Sequence, residues 1–174
     1  MSSTIHVKLE GAPEALSALV ADLVAQAGQE VKSRGMRTAN ELRTASNHVL
    51  SGQRHGRRYK VPGTYKRQRD SATGKMRNGR YYTASAPGEP PAVRTGVFRM
   101  GWKQRSYAED LGGGECNVRG IIENDQKAGS HLLGEILEQG RKDGRMAPRP
   151  YKQRVVDRAM PKVLRIYNEP YFRD

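Results

Sequence analysis

Residues 51–92 decide what this chain can fold into. Of the thirty Leu, Ile, Val and Phe residues in the sequence, that stretch holds one, Val61. A segment so poor in apolar side chains cannot offset the entropy of ordering itself around a core of its own. The 174-residue chain is therefore expected to form one domain over 1–174, its core drawn from the flanking regions, with 51–92 as an extended loop or arm within it. The same stretch concentrates charge. Between Gln53 and Tyr82 stand Arg54, Arg57, Arg58, Lys60, Lys66, Arg67, Arg69, Lys75, Arg77 and Arg80 against a single acid, Asp70, so the arm carries +9 of a net +13. Such self-repulsion, at a pI near 10.2, calls for a polyanionic neighbour. Tyr59, Tyr65, Tyr81 and Tyr82 interleave with the cations and offer rings for stacking, as a nucleic-acid groove would. An acidic protein surface fits the same charge, a solvated loop requires no partner at all, and charge alone does not choose among the three.

The flanks read as alternating elements. Ile5, Val7 and Leu9 alternate with polar residues over 4–10, the period of a half-buried strand. Gly11-Ala12-Pro13-Glu14 breaks it and opens a helix, whose apolar positions recur at Leu16, Leu19, Val20, Leu23, Val24, Ala27 and Val31. The pattern weakens around Gly35, resumes at Ala39, Leu42 and Val49, and ends at Ser51-Gly52: one long helix, either continuous or interrupted at Gly28 or Gly35. Val97, Phe98, Met100 and Trp102 fit either a helical turn or a strand, and Asn117–Ile122 a strand after the turn at Gly112-Gly113-Gly114. His131–Gln139 reads as a short amphipathic helix stopped by Gly140, and 141–147 as a turn. Pro150 opens a last helix with Tyr151, Val155, Ala159, Val163 and Ile166 inward and a kink at Pro161. The expected class is α+β: a small mixed sheet flanked by a long N-terminal helix and a C-terminal helix, with a long basic arm.

Residue chemistry points away from catalysis. His6, His48, His55 and His131 lack ligand spacing, Cys116 has no second cysteine, and no phosphate-cradling glycine loop is present. Glu109 and Asp110 are expected in a polar loop without an apolar pocket to raise a carboxyl pKa. No enzyme, metal or cofactor is expected. No apolar run reaches the length of a membrane span and the first residues do not resemble a signal peptide, so a soluble, unexported protein with no membrane partner is expected.

Two stretches carry a family resemblance. Ala84-Ser85-Ala86-Pro87-Gly88-Glu89-Pro90-Pro91 runs into Arg94-Thr95-Gly96-Val97-Phe98-Arg99, and Leu137-Glu138-Gln139-Gly140 is followed by Met146-Ala147-Pro148-Arg149-Pro150-Tyr151 and a final helix. In order and spacing these resemble the tail-completion or head-tail joining (neck) proteins of long-tailed bacteriophages, with Tyr151 where phenylalanine is usual and Gln139 where an aromatic is usual. The resemblance spans residues 84–160, and the arm before Ala84 is longer than the family's. It implies a non-enzymatic structural subunit of the virion, assembled in the host cytoplasm. The implied form is a homo-oligomeric, hexameric ring at the top of the tail, in contact with the tail-tube or tail-terminator protein and the portal-side head connector, with genome DNA passing through. The alternative is a free nucleic-acid-binding protein that uses residues 53–82 as a basic hook.

Six residues are expected at contacts with a neighbouring subunit or partner. Glu89, Pro90 and Pro91 form a stiff strap, because each proline fixes its own φ and extends the residue before it. Arg149, held between Pro148 and Pro150, suits a bidentate carboxylate partner such as Glu138 or an acid on another subunit. Tyr151 completes the set. Thr95 and Gly140 suit helix-capping positions, and Arg154, Arg158, Lys162 and Arg165 make a basic stripe, solvated or facing an acidic surface.

Overall fold

A single 39-residue helix, α1 (Pro13–Ser51), is the axis of the molecule. The computed structural model describes residues 13–61, 68–69, 72–73, 76–77, 81–112 and 115–171; the strand expected over 4–10 lies outside them. α1 runs about 58 Å at 1.5 Å per residue and passes without a break through both Gly28 and Gly35. The one long helix expected is continuous, and Gly35 serves packing. A Cβ on Gly35 would collide with Val118 and Ser106, and one on Gly120 would collide with the Gly35 carbonyl and approach Ala39 N to 3.1 Å. Helix and hairpin thus cross backbone against backbone, at a place where only glycine fits.

After α1 come β1 (Arg58–Lys60), β2 (Gln68–Arg69), β3 (Met76–Arg77), β4 (Tyr81–Thr83), α2 (Val97–Met100), β5 (Lys103–Gly112) and β6 (Glu115–Glu123). β7 (Lys127–Ala128), β8 (His131–Leu132), α3 (Leu133–Gln139) and α4 (Lys152–Asn168) complete the chain. The class is α+β, as expected. Among the described residues, however, the strands form four separate two-stranded antiparallel pairs and no single mixed sheet. The β5–β6 hairpin is the largest, registered from Lys103 opposite Glu123 to Gly112 opposite Glu115, so Glu109 and Asp110, expected in a loop, are strand residues opposite Asn117 and Cys116. Phe98 lies on α2, a single helical turn, and Trp102 immediately precedes β5, so the stretch left open between helix and strand is a helical turn that leads into a strand. The N-cap of α2 is Gly96, not Thr95. His131 and Leu132 pair with β7 instead of starting α3, and Gly140, at φ 79°, ends that helix as expected.

α4 lies antiparallel along the second half of α1. Tyr151 meets Leu50 at one end, Lys162 Nζ reaches Glu41 Oε2 at 2.9 Å midway, and Arg34 meets Tyr167 and Pro170 at the other end. Its N-cap is Tyr151, and the helix continues through Pro161. The core cluster is Ala45, Leu50, Tyr151, Val155 and Ala159, joined by Phe98, Trp102, Ile122 and Leu137. Phe98, Trp102 and Tyr151 meet edge to face, with centroids 5.6–6.1 Å apart, the arrangement that ring quadrupoles favour. Arg34 is fully buried; its guanidinium donates to Tyr167 O and Pro170 O, pairs with Glu30 and covers the Tyr171 ring. It therefore satisfies carbonyls at the end of α4 that have no helical partner.

Candidate functional site

Two neighbouring features carry the candidate residues: a basic ribbon, and a clasp at its base. The ribbon is the described part of the expected arm, and it contains paired strands. β1 pairs with β4, and β2 with β3, all antiparallel, so the same two stretches of chain meet twice. The base is extended by Gly56 N donating to Ala84 O and Ala84 N donating to Arg57 O, both at 2.9 Å. The register places Arg58 opposite Thr83 and Lys60 opposite Tyr81 on one face, with Tyr59 opposite Tyr82 on the other. The Tyr59 and Tyr82 rings stack at 5.8 Å, Arg58 lies 4.5 Å from the centroid of Tyr81, and Arg57 lies 5.6 Å from that of Tyr59. The tyrosines therefore act first as cross-strand and cation–π partners that hold a polar ribbon together.

The ten arm cations divide. Arg57, Arg58 and Lys60 are exposed at the ribbon base, and Arg69 and Arg77 occupy strands β2 and β3. Lys66, Arg67, Lys75 and Arg80 lie outside the described residues. Arg54 does not belong with the outward-facing group. Its guanidinium donates to Val49 O, Gly52 O, Gln53 O and Pro91 O, where it closes the end of α1 and ties down the strap. Burial pulls its pKa down, and a guanidinium remains charged regardless.

The six contact candidates converge within the chain itself. Glu89 accepts from Ala86 N at 2.8 Å, His55 N at 3.1 Å and His55 Nδ1 at 2.6 Å. The Ala86 N–H, foremost, and the His55 contacts hold the carboxyl at about 2. Pro90 and Pro91 are buried, so the strap is packed against the body instead of standing free. Arg149 pairs with no carboxylate among the described residues: it donates to Ser85 O and, at 2.7 Å, to Ala86 O, while its own N–H donates to Leu137 O. The expected Arg149–Glu138 pair is thus corrected. Glu138 Oε2 instead accepts from Tyr151 N at 3.0 Å and Lys152 N at 3.3 Å, a cap for α4 supplied from α3. Tyr151, expected at a subunit contact, is 2% exposed and a core residue. Burial, and then the nearby Glu138 charge, push its phenol up to about 12. The basic stripe is also partly engaged, with Arg154 donating to Gly88 O and Lys162 to Glu41; Arg158 and Arg165 are exposed.

Beside the clasp opens an apolar groove of about 520 Å³ that sequence reasoning did not find. Leu50, Val97, Phe98, Leu133, Leu137 and Met146 line it, Arg94, Arg99 and Arg149 stand on its wall, and among the described residues no acid does. Its walls come from stretches up to a hundred residues apart, so no local pattern announces it. Arg34 was missed for the opposite reason: Glu30 and Arg34 at i and i+4 read as an ordinary surface pair. No protein-family model matches the chain, and no curated protein or solved structure matches it.

Proposed function

We propose that this chain is a structural subunit of the neck of a long-tailed bacteriophage, a member of a ring that completes the tail and joins it to the head connector. One observation supports this above the others. The two stretches that resemble the tail-completion family, separated by some forty residues, meet as a single clasp: Arg149 holds the carbonyls of 85–86, and Glu138 caps the helix that Tyr151 opens. The motif residues thus form one structural unit, which frees the surfaces around them for contacts with other subunits. Ring partners would be the tail-tube or terminator protein on one side and the portal-side connector on the other, with the work done by interface burial and charge complementarity. Among the described residues no helix is long and apolar enough to cross a membrane.

Deleting the gene from a phage or prophage that encodes this chain tests the proposal. The expected result is filled heads and finished tails that accumulate apart and join when the purified protein is added; intact infectious particles without it would overturn the assignment.

The ribbon favours a second reading, contact with DNA. A two-stranded antiparallel ribbon fits the major groove, and exposed Arg57, Arg58 and Lys60 supply cations at its base. Within a ring, that contact would be weak and non-specific, with log affinity falling by about 0.9 per neutralised phosphate for each tenfold rise in salt. Tight, sequence-dependent binding by a monomer would instead favour the basic-hook alternative.

A further inference from the structure

Among the described residues, nothing covers the apolar stripe near the start of α1. Leu19, Val20, Leu23 and Val24 are 57%, 46%, 42% and 51% exposed, and with Leu16 they follow the i, i+3, i+4, i+7, i+8 spacing of a helix face meant to be buried. Partial burial resumes at Ala27, and the hydrogen bonds to the end of α4 and the glycine crossing with the β5–β6 hairpin lie further on, at Arg34 and Gly35. We infer that this stripe docks into the arginine-walled groove of a second copy of the same chain.

Three observations commit the groove to that occupant. The surfaces match in kind, an aliphatic helix face and an apolar groove bounded by Leu50, Val97, Phe98, Leu133, Leu137 and Met146. They match in charge: residues 13–31 contain Glu14, Asp22 and Glu30 and no Lys or Arg, in a chain of net +13, whereas the groove wall carries Arg94, Arg99 and Arg149 and, among the described residues, no acid. Asp22 borders the stripe one turn after Leu19, where a groove-wall arginine can meet it. Finally, the two cannot meet within one molecule. Leu23 and Leu50, which lines the groove, lie on the same unbroken helix, about 40 Å apart at 1.5 Å per residue.

A surface at one end of a rigid rod that fits a different surface at the other end makes a head-to-tail contact, which closes into a ring or continues as a filament. The inference rests on the ring proposal for closure and supplies the interface that proposal lacks.

Two experiments test it. In a Cys116→Ser background, Leu23→Cys and Val97→Cys in one chain should give, on mild oxidation, a ladder of covalent multimers. Each single variant should give little cross-linking, and a mixture of the two single variants should give dimers only. Efficient dimers from Leu23→Cys alone would mean that the stripes pair with each other and would overturn the docking. Separately, Leu19→Asp combined with Leu23→Asp should weaken self-association, measured by sedimentation equilibrium, at least about thirtyfold, the equivalent of one interface hot spot. The circular dichroism of the full chain should be unchanged, since neither side chain touches the body. Oligomers that survive this double substitution sink the docking and leave the ring standing. A wild-type chain that remains a monomer at every concentration sinks both.

Discussion

The two halves of α1 are one helix with two fates. From Arg34 to Leu50 its inner face is buried against α4 and the β5–β6 hairpin, with Ala39, Ala45 and Leu50 at 5% exposure or less. From Leu19 to Val24 an aliphatic face stays 42–57% exposed and meets no partner among the described residues. Helical periodicity is the same in both, so periodicity reports that a face must be covered and not by what. A glycine in each half makes the same point: nothing approaches a Cβ built on Gly28, whereas one on Gly35 runs into Val118 and Ser106.

The contrast can be broken most forcefully at the packed end. Tyr151→Ala should lower stability by about 3–5 kcal/mol, the cost of truncating a buried aromatic, while Leu23→Ala should stay within about 0.5 kcal/mol in a dilute, monomeric sample. Urea denaturation compares them; equal losses would mean that the first half of α1 is covered within the chain after all. Next in size, Gly120→Ala should cost about 1–3 kcal/mol, because the new methyl faces the Gly35 backbone and not a movable side chain. Glu138→Ala removes the carboxylate cap from Tyr151 and Lys152 and should cost about 0.5–2 kcal/mol by thermal denaturation. Gly28→Ala should move the other way, stabilising the bare half by about 0.4–1 kcal/mol; a loss there would reveal a neighbour close to the helix.

The smallest effect depends on pH. Glu89 is held at about 2, below its ordinary 4.5, so it binds protons more weakly in the fold than in the unfolded chain. Its contribution is complete above about 4.5 and fades as pH falls towards 2. Glu89→Gln should therefore flatten the fall in melting temperature across that window. An unaltered acid profile would show that the Glu89–His55–Ala86 contacts add nothing to the stability of the strap.

Elements with several turns of regular spacing were legible. Leu16 through Val49 announced α1, Val155 to Ile166 the inner face of α4, and Gly140 the end of α3. The arm was legible as basic and coreless but not as a ribbon, because β1 to β4 are two or three residues long and hold together through pairs such as Tyr59–Tyr82 that no local pattern contains. Within the clasp, residue types were read better than partners. Arg149 was recognised as a pinned guanidinium, yet which oxygens it meets depends on where the strap returns, and the carbonyls of 85–86 stand where a carboxylate was expected.

Charge distribution, helical period and the scarcity of apolar residues between 51 and 92 are properties of the chain taken in order, and the amino-acid sequence determined them alone: a basic arm between two helical flanks. Tertiary structure decided the remainder: that Arg54 and Arg149 turn inward, that Tyr151 is core, that α1 crosses the hairpin at glycine, and that an apolar stripe and an apolar groove end up on opposite ends of one helix. Each depends on which distant atoms occupy the same few ångströms, and burial, hydrogen bonding and steric fit are all functions of that distance.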